Sequence, residues 1–263
     1  MKKLLAIVLS LGMVLSLGAC TGGSTETSKN SDTFTVGFDQ DFPPYGYVGD
    51  DGEFTGFDID LATECAKRMG KEIVLQPIAW DAKDMELEAG TIDCIWNGFT
   101  INGREDLYTW SSPYVNNSQV VIVKADSGIS TLADLSGKVV EVQKESSAQA
   151  ALEDASKKDL LESFGDFLTV DQYNTAFMDL ESGAVDAIAI DVGVARFQLL
   201  GKEDKFTILD EELASEQYGI GFLKGNEELR DKVEATLLEM VEDGTFAEIS
   251  TKYFGEDVGI LGK

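Results

Sequence analysis

Residues 93–114 read Asp93-Cys94-Ile95-Trp96-Asn97-Gly98-Phe99-Thr100-Ile101-Asn102-Gly103-Arg104-Glu105-Asp106-Leu107-Tyr108-Thr109-Trp110-Ser111-Ser112-Pro113-Tyr114. The apolar start predicts a strand over 92–96. A turn carrying amide and hydroxyl groups follows, and then a single arginine. Arg104 can hold a carboxylate through two parallel N–H···O bonds, a geometry lysine lacks. Asn97, Gly98 and Thr100 stand just before it and bring backbone N–H groups and a hydroxyl. The stretch is therefore built to hold a small carboxylate.

Outward from it, strands and helices alternate, which predicts an α/β architecture. Upstream, 33–38 alternates as a strand, and Asp50-Asp51-Gly52 turns a short hairpin. Phe57, Leu61, Cys65 and Met69 recur every four residues and predict a helix over 57–69 with one buried face. A strand over 73–77 and a helix over 81–89 complete this portion. Downstream, strands are predicted at 119–123, 139–143, 167–170, 184–190 and 217–223. Helices are predicted at 132–137, 147–155, 173–181 and 192–200. Leu229, Val233, Leu237 and Val241 mark a long C-terminal helix closed by Asp243-Gly244, and 245–253 adds a shorter one. No tandem repeat is present.

The N-terminus reads as a targeting segment. Lys2 and Lys3 precede an apolar run, 4–17, that is short for a spanning helix. The run ends in Leu17-Gly18-Ala19-Cys20, small residues directly before a cysteine. This resembles a bacterial lipobox, which implies a signal peptide over 1–19 and lipidation of Cys20. Residues 20–32 then form a flexible tether rich in Gly, Ser and Thr. The expected placement is outside the cytoplasmic membrane, held by lipid, at the cell surface or in a periplasm.

The 263 residues carry a formal charge of −27 and no histidine. Such an acidic body argues against nucleic acid and against adsorption to anionic lipid. Without histidine there is no Ser-His-Asp triad, no histidine general base and no common zinc site. The acidic runs at 50–53 and 58–60 do not space as a calcium loop, so no metal and no cofactor is expected. Cys65 and Cys94 read as buried small hydrophobes, and their spacing leaves open whether they pair.

Further motifs appear in a fixed order: Asp39-Gln40-Asp41-Phe42-Pro43-Pro44-Tyr45, then Gly56-Phe57-Asp58-Ile59-Asp60-Leu61-Ala62, the 96–114 stretch, Asp134-Leu135-Ser136-Gly137-Lys138, Gly183-Ala184-Val185-Asp186-Ala187, and Asp243-Gly244-Thr245 with Lys252-Tyr253-Phe254-Gly255. In this order, over 34–255, the chain resembles the polar-amino-acid solute-binding proteins of bacterial ABC importers, bacterial extracellular solute-binding protein family 3. The resemblance implies a two-lobed, periplasmic-binding-protein-like type II α/β fold with a two-stranded hinge. Lobe 1 would comprise 33–118 and 219–263, and lobe 2 would comprise 119–218. It also implies a function without catalysis: capture of a free polar L-amino acid between the lobes and delivery to a membrane permease with its ATPase subunits. A monomer is expected.

Carried onto this sequence, the resemblance implies that Arg104 and Thr100 take the ligand carboxylate, with Asn97 and Gly98 beside them. Ser146 and Ser147, at a helix start with spare N–H donors, would contact it from the other lobe. The loop before Arg104 is one residue shorter than in the family pattern, and Glu145 replaces a common glycine. Asp191 matches the family's ammonium acceptor and equally suits a helix N-cap. Asp39, Phe42 and Trp80 match the side-chain pocket, and Gln143 is a further contact. Core packing is the alternative for Phe42 and Trp80. Two aromatic rings beside a carboxylate favour a cationic side chain through cation–π contact. Glutamine and cystine are the alternatives. A sensory lipoprotein and a dehydratase-like enzyme for small carboxylates are the competing function classes.

Overall fold

The computed structural model describes residues 32–263. The expected signal peptide, the lipidated Cys20 and the tether up to residue 31 lie outside the described residues. In chain order the strands are β1 (Thr33–Phe38), β2 (Asp41–Phe42), β3 (Gly46–Val48), β4 (Phe54–Thr55), β5 (Glu72–Pro77), β6 (Cys94–Thr100), β7 (Thr109–Trp110), β8 (Val115–Lys124), β9 (Val139–Gln143), β10 (Asp166–Val170), β11 (Ala187–Asp191), β12 (Phe206–Ile208) and β13 (Ala214–Phe222). The α-helices are α1 (Phe57–Arg68), α2 (Lys83–Ala89), α3 (Ser147–Glu153), α4 (Lys158–Ser163), α5 (Tyr173–Ser182), α6 (Val192–Gln198), α7 (Glu227–Glu242) and α8 (Thr245–Phe254).

Helix α1 shows how the pattern becomes packing. Phe57, Leu61 and Cys65 fall on one face and are completely buried. Full burial of a side chain the size of leucine or phenylalanine contributes roughly 2 kcal/mol. Glu64 on the wet face pairs with Lys67 and Arg68. The helix stops before Gly70, whose φ of 68° is the left-handed geometry that glycine adopts without a Cβ penalty.

The main sheet runs β10-β9-β11-β8-β13-β6-β1-β5, with β12 on β8 and β7 on β13. β1 pairs in parallel with β5 and β6, and β9 in parallel with β10 and β11. Between these two parallel sets run β8 and β13, antiparallel to each other over Val115–Gln119 and Ala214–Tyr218. β8 continues beyond Gln119 along β11, and β13 continues beyond Tyr218 along β6. β8 thus pairs with one set and β13 with the other, each antiparallel to its neighbour, and their pairing with each other joins the two sets within the sheet.

Several expectations shift. The strand placed at 92–96 is β6 and runs through Thr100, because Tyr218 and Gly219 of β13 pair with Thr100 and Phe99. The strand placed at 119–123 begins at Val115, in residues too polar to read as buried strand. The helix placed at 147–155 ends at Glu153. α4 and β12 were not foreseen; both are short, and neither carries a long apolar period. Cys65 and Cys94 are buried as thiols. Among the described residues no helix is long and apolar enough to cross a membrane, and no acidic, cysteine or histidine group could hold a metal ion.

Candidate functional site

The C-terminal end of β6 carries Asn97, Gly98 and Thr100 into the cleft between the two parallel sets. Gly98 has φ 54°. Its N–H donates to Asp58 Oδ2 at 2.5 Å, and the Tyr114 hydroxyl donates to the same carboxylate at 2.9 and 3.0 Å. Asp58 is completely buried, and burial pushes its carboxyl up to about 7 against these bonds. The Gly98 N–H, expected to face a ligand, is thus taken by Asp58. Sequence reasoning missed Asp58 as a support of the site, although it stands in the Gly56-Phe57-Asp58 motif.

Arg104 follows in a turn made at Gly103, φ 80°. Its Nη1 donates to Ser147 Oγ at 2.9 Å and to the Thr100 carbonyl at 3.3 Å, and its Nη2 donates to the Glu145 carbonyl at 3.3 Å. The guanidinium lies 5.4 Å from the Phe99 ring centre. The turn thus carries Arg104 across the cleft to the head of α3. Ser146 caps α3 by accepting from Gln149 N–H at 3.1 Å.

Asp191 ends β11 and precedes α6, yet its side chain makes no cap bond to that helix. Its Oδ1 accepts from Asn117 Nδ2 and Gln119 Nε2, each at 2.8 Å, and from the Tyr218 hydroxyl. Asn117, Gln119 and Tyr218 all come from the two joining strands, and sequence reasoning passed over them. Their positions along β8 and β13 alternate by two, which puts them on one face.

At the other end, Gln143 Nε2 donates to Asp39 Oδ2 at 2.6 Å. Burial raises the Asp39 carboxyl, opposed by bonds from the Asp41 N–H and from Gln143. Phe42 packs on Tyr45 and Tyr173, and Trp80 stands edge-on to Phe99. Both rings therefore pack into the core and also line the cleft.

Nine predicted residues line one cavity: Asp39, Phe42, Trp80, Asn97, Gly98, Gln143, Ser146, Ser147 and Asp191. Thr100 and Arg104 stand beside it. The cavity holds about 10 Å³, room for a single water. Asn97 Oδ1 and Thr100 Oγ1 are buried without a hydrogen-bond partner. A wider cavity of about 610 Å³ opens beyond Asp39 and Trp80, edged by Asp81, Lys144 and Asp171.

The cleft is drawn shut by ion pairs that sequence reasoning did not identify. Lys83, with its side chain 4% exposed, bonds Glu145 at 3.1 Å, and Lys144 bonds Asp81 at 2.6 Å. Asn174 adds a bond to Asp41 at 2.7 Å. Glu145 has φ 56°, a conformation that side-chain-bearing residues seldom adopt.

Comparison with known proteins bears on this geometry. The L-cystine-binding protein TcyJ of Escherichia coli is 33% identical over 258 residues, 97% of this chain and 94% of its own length. A substrate-binding protein of an ABC uptake transporter from Streptococcus pneumoniae, solved with bound histidine, superposes with a TM-score of 0.82 at 35% identity. That match covers 87% of this chain and 94% of the other. The structure of Tv2483 bound to L-arginine superposes with a TM-score of 0.83 at 29% identity, covering 88% and 94%. The fold is thus the two-lobed type II periplasmic-binding-protein fold. The family profile matches residues 34–256, and the chain belongs to the bacterial extracellular solute-binding proteins, family 3.

Proposed function

We propose that this protein captures an L-α-amino acid between its lobes and hands it to the permease of an ABC importer. The observation that carries the reading is the bond from Arg104 to Ser147 across the cleft, beside Thr100 with its unbonded hydroxyl. A carboxylate entering here would take the Arg104 fork that Ser147 and two carbonyls now share. Thr100 Oγ1 would donate to it as well. Asp191 would accept the ammonium. Lobe 1 is proposed to comprise 33–118 and 219–263, and lobe 2 to comprise 119–218, with β8 and β13 as the hinge.

A cavity with room for one water does not admit an amino acid, so capture requires the lobes to part and close again. The closed state would then join Arg104 and Thr100 of one lobe to Ser147 and Asp191 of the other through the ligand. Only a ligand that bonds to both lobes favours closure.

For the side chain, the proposal is a far end bearing a cationic nitrogen. Asp39 is buried and, among the described residues, bonded by no cation; it lines the cavity with Phe42 and Trp80, and Asp171 edges the wider cavity beyond it. Arginine, lysine and ornithine meet this description. Cystine is the second reading: its far ammonium suits the same carboxylates, Lys144 offers its far carboxylate a cation, and TcyJ is named for that ligand. Catalysis is not part of the proposal, in keeping with relatives named as binding proteins. An extracellular or periplasmic site, a lipid anchor at Cys20 and a monomeric state complete it.

A thermal-shift screen of the chain from Thr21 onward, stripped of ligand, against the twenty amino acids with cystine and ornithine tests the reading. A ligand that binds the native state raises the melting point by mass action. A shift with arginine, lysine or cystine that disappears in Arg104→Ala supports it. No shift with any amino acid overturns it.

A further inference from the structure

Behind Asp191 lies a second buried carboxylate that neither the motifs nor the family reading singled out. Glu216 stands on β13 opposite Asn117 of β8. It is 6% exposed, and Asp191 is 4% exposed. Asn117 Nδ2 donates to Glu216 Oε1 at 2.6 Å as well as to Asp191 Oδ1, and Gln119 Nε2 donates to Glu216 Oε1 at 2.7 Å as well as to Asp191 Oδ1. Two side-chain amides thus bridge the two carboxyl groups, each donating to both. Asp191 lines the proposed ligand cavity together with Asn97.

We infer that Glu216 is a specificity residue of the ammonium site: with Asp191 it forms a two-carboxylate acceptor that holds one shared proton and exchanges that proton for the ligand's ammonium. This rests on the assignment of Asp191 as ammonium acceptor under Proposed function.

The argument is electrostatic. Two carboxylates in one buried site do not both ionise without a cation, and a proton between them removes the repulsion. Burial first, and then the charge of Glu216, raises the Asp191 carboxyl. The surrounding groups supply no cation. Tyr218 on β13, Tyr45 after β2 and Tyr173 on α5 face the pair with neutral phenols, which burial raises further. Asp58 lies beyond Tyr45, and Glu212 lines a surface cavity together with Glu216. Arg196 of α6 lines a neighbouring cavity with Asn117, and Arg104 and Lys157 line another that Glu216 edges. Among the described residues none of these cations pairs with Asp191 or Glu216.

On ligand entry the O–H bond of the shared acid breaks, and its proton passes to a buffer base. The ammonium keeps its own protons and donates N–H bonds to the two carboxylates. Two carboxylates with one ammonium leave the site at the same net charge as two carboxylates sharing one proton. A ligand without the ammonium cannot make this exchange, because it would leave two unneutralised charges buried.

Calorimetric titration of the protein from Thr21 onward with L-arginine and with L-cystine, at pH 7 in buffers of different ionisation enthalpy, counts the protons. The expected result is release of about one proton more per bound ligand in the native protein than in Glu216→Gln. Equal release in the two proteins overturns the inference, even where binding is tight. Infrared difference spectra of the protein without amino acid, at pH 7, read the shared proton directly. The protonated-carboxyl band must lose the same intensity in Glu216→Gln and in Asp191→Asn, over and above Asp39, Asp58 and Glu141, which burial also raises. Retention of the band in Glu216→Gln, in Asp191→Asn or in both overturns the inference. That arm needs no ligand, so a protein that binds neither amino acid fails the importer reading while the proton pair is still decided.

Discussion

Replacing Asp58 by asparagine isolates the electrostatics of one buried group. Asp58 is completely buried in the first turn of α1, bonded by Gly98 N–H and the Tyr114 hydroxyl and by no cation. Burial lifts its carboxyl from 3.8 to about 7. Between those values the folded protein binds more protons than the unfolded chain. The contribution of this group to stability is therefore complete below about pH 3.8 and is lost as the pH rises through 7. At about 1.4 kcal/mol per pH unit, the gap amounts to roughly 4 kcal/mol in full. Between pH 5 and pH 8 a single such group accounts for roughly 2 to 3 kcal/mol. Asparagine has the same shape and retains an acceptor for the Gly98 N–H, but it does not ionise. Urea unfolding of both proteins without amino acid, at pH 5 and pH 8, measures the difference. The native protein is expected to lose roughly 2 to 3 kcal/mol more than Asp58→Asn across this interval. Asp39 and Asp191 are raised in both proteins, so their contributions cancel. The same pH dependence in the two proteins, within about 0.5 kcal/mol, would refute the reasoning.

Arg104→Ala removes the fork for the ligand carboxylate; calorimetry should find affinity lower by about 3 kcal/mol or more, over a hundredfold. Gly98→Ala forces a side chain into φ 54° and sets its Cβ 3.1 Å from both Phe42 Cε1 and Tyr218 Cε2. Chemical unfolding should show a loss of about 1 to 3 kcal/mol, and ligand affinity should fall with it. Gly193→Ala meets the Tyr45 hydroxyl far inside van der Waals contact, across the closed cleft. Helix propensity in α6 improves by about 1 kcal/mol, so a loss of affinity without a loss of stability marks obstructed closure. Small-angle scattering with saturating ligand should find that variant more extended than the native protein.

The sequence by itself determined the alternation of strands and helices, the buried face of α1, the α7–α8 pair and nine of the residues that line the cavity. These follow from local periodicity, glycine stops and residue chemistry within a few positions, which need no knowledge of distant partners. It did not determine what those side chains bond to. Asp191 read as a ligand contact that could also cap a helix, and its local context did not say what it bonds. Its direction is set by Asn117, Gln119 and Tyr218, which come from strands that pair only when the chain folds back on itself. Asp58 read as part of a helix start, and its carboxylate serves Gly98, forty residues away. Lys83 carried no signal beyond its place in the helix expected over 81–89; the closed cleft buries it against Glu145. Glu216 had no local signal at all. Hydrogen bonds, burial and like-charge repulsion depend on distances between segments remote in the chain, and the tertiary structure alone supplies those distances.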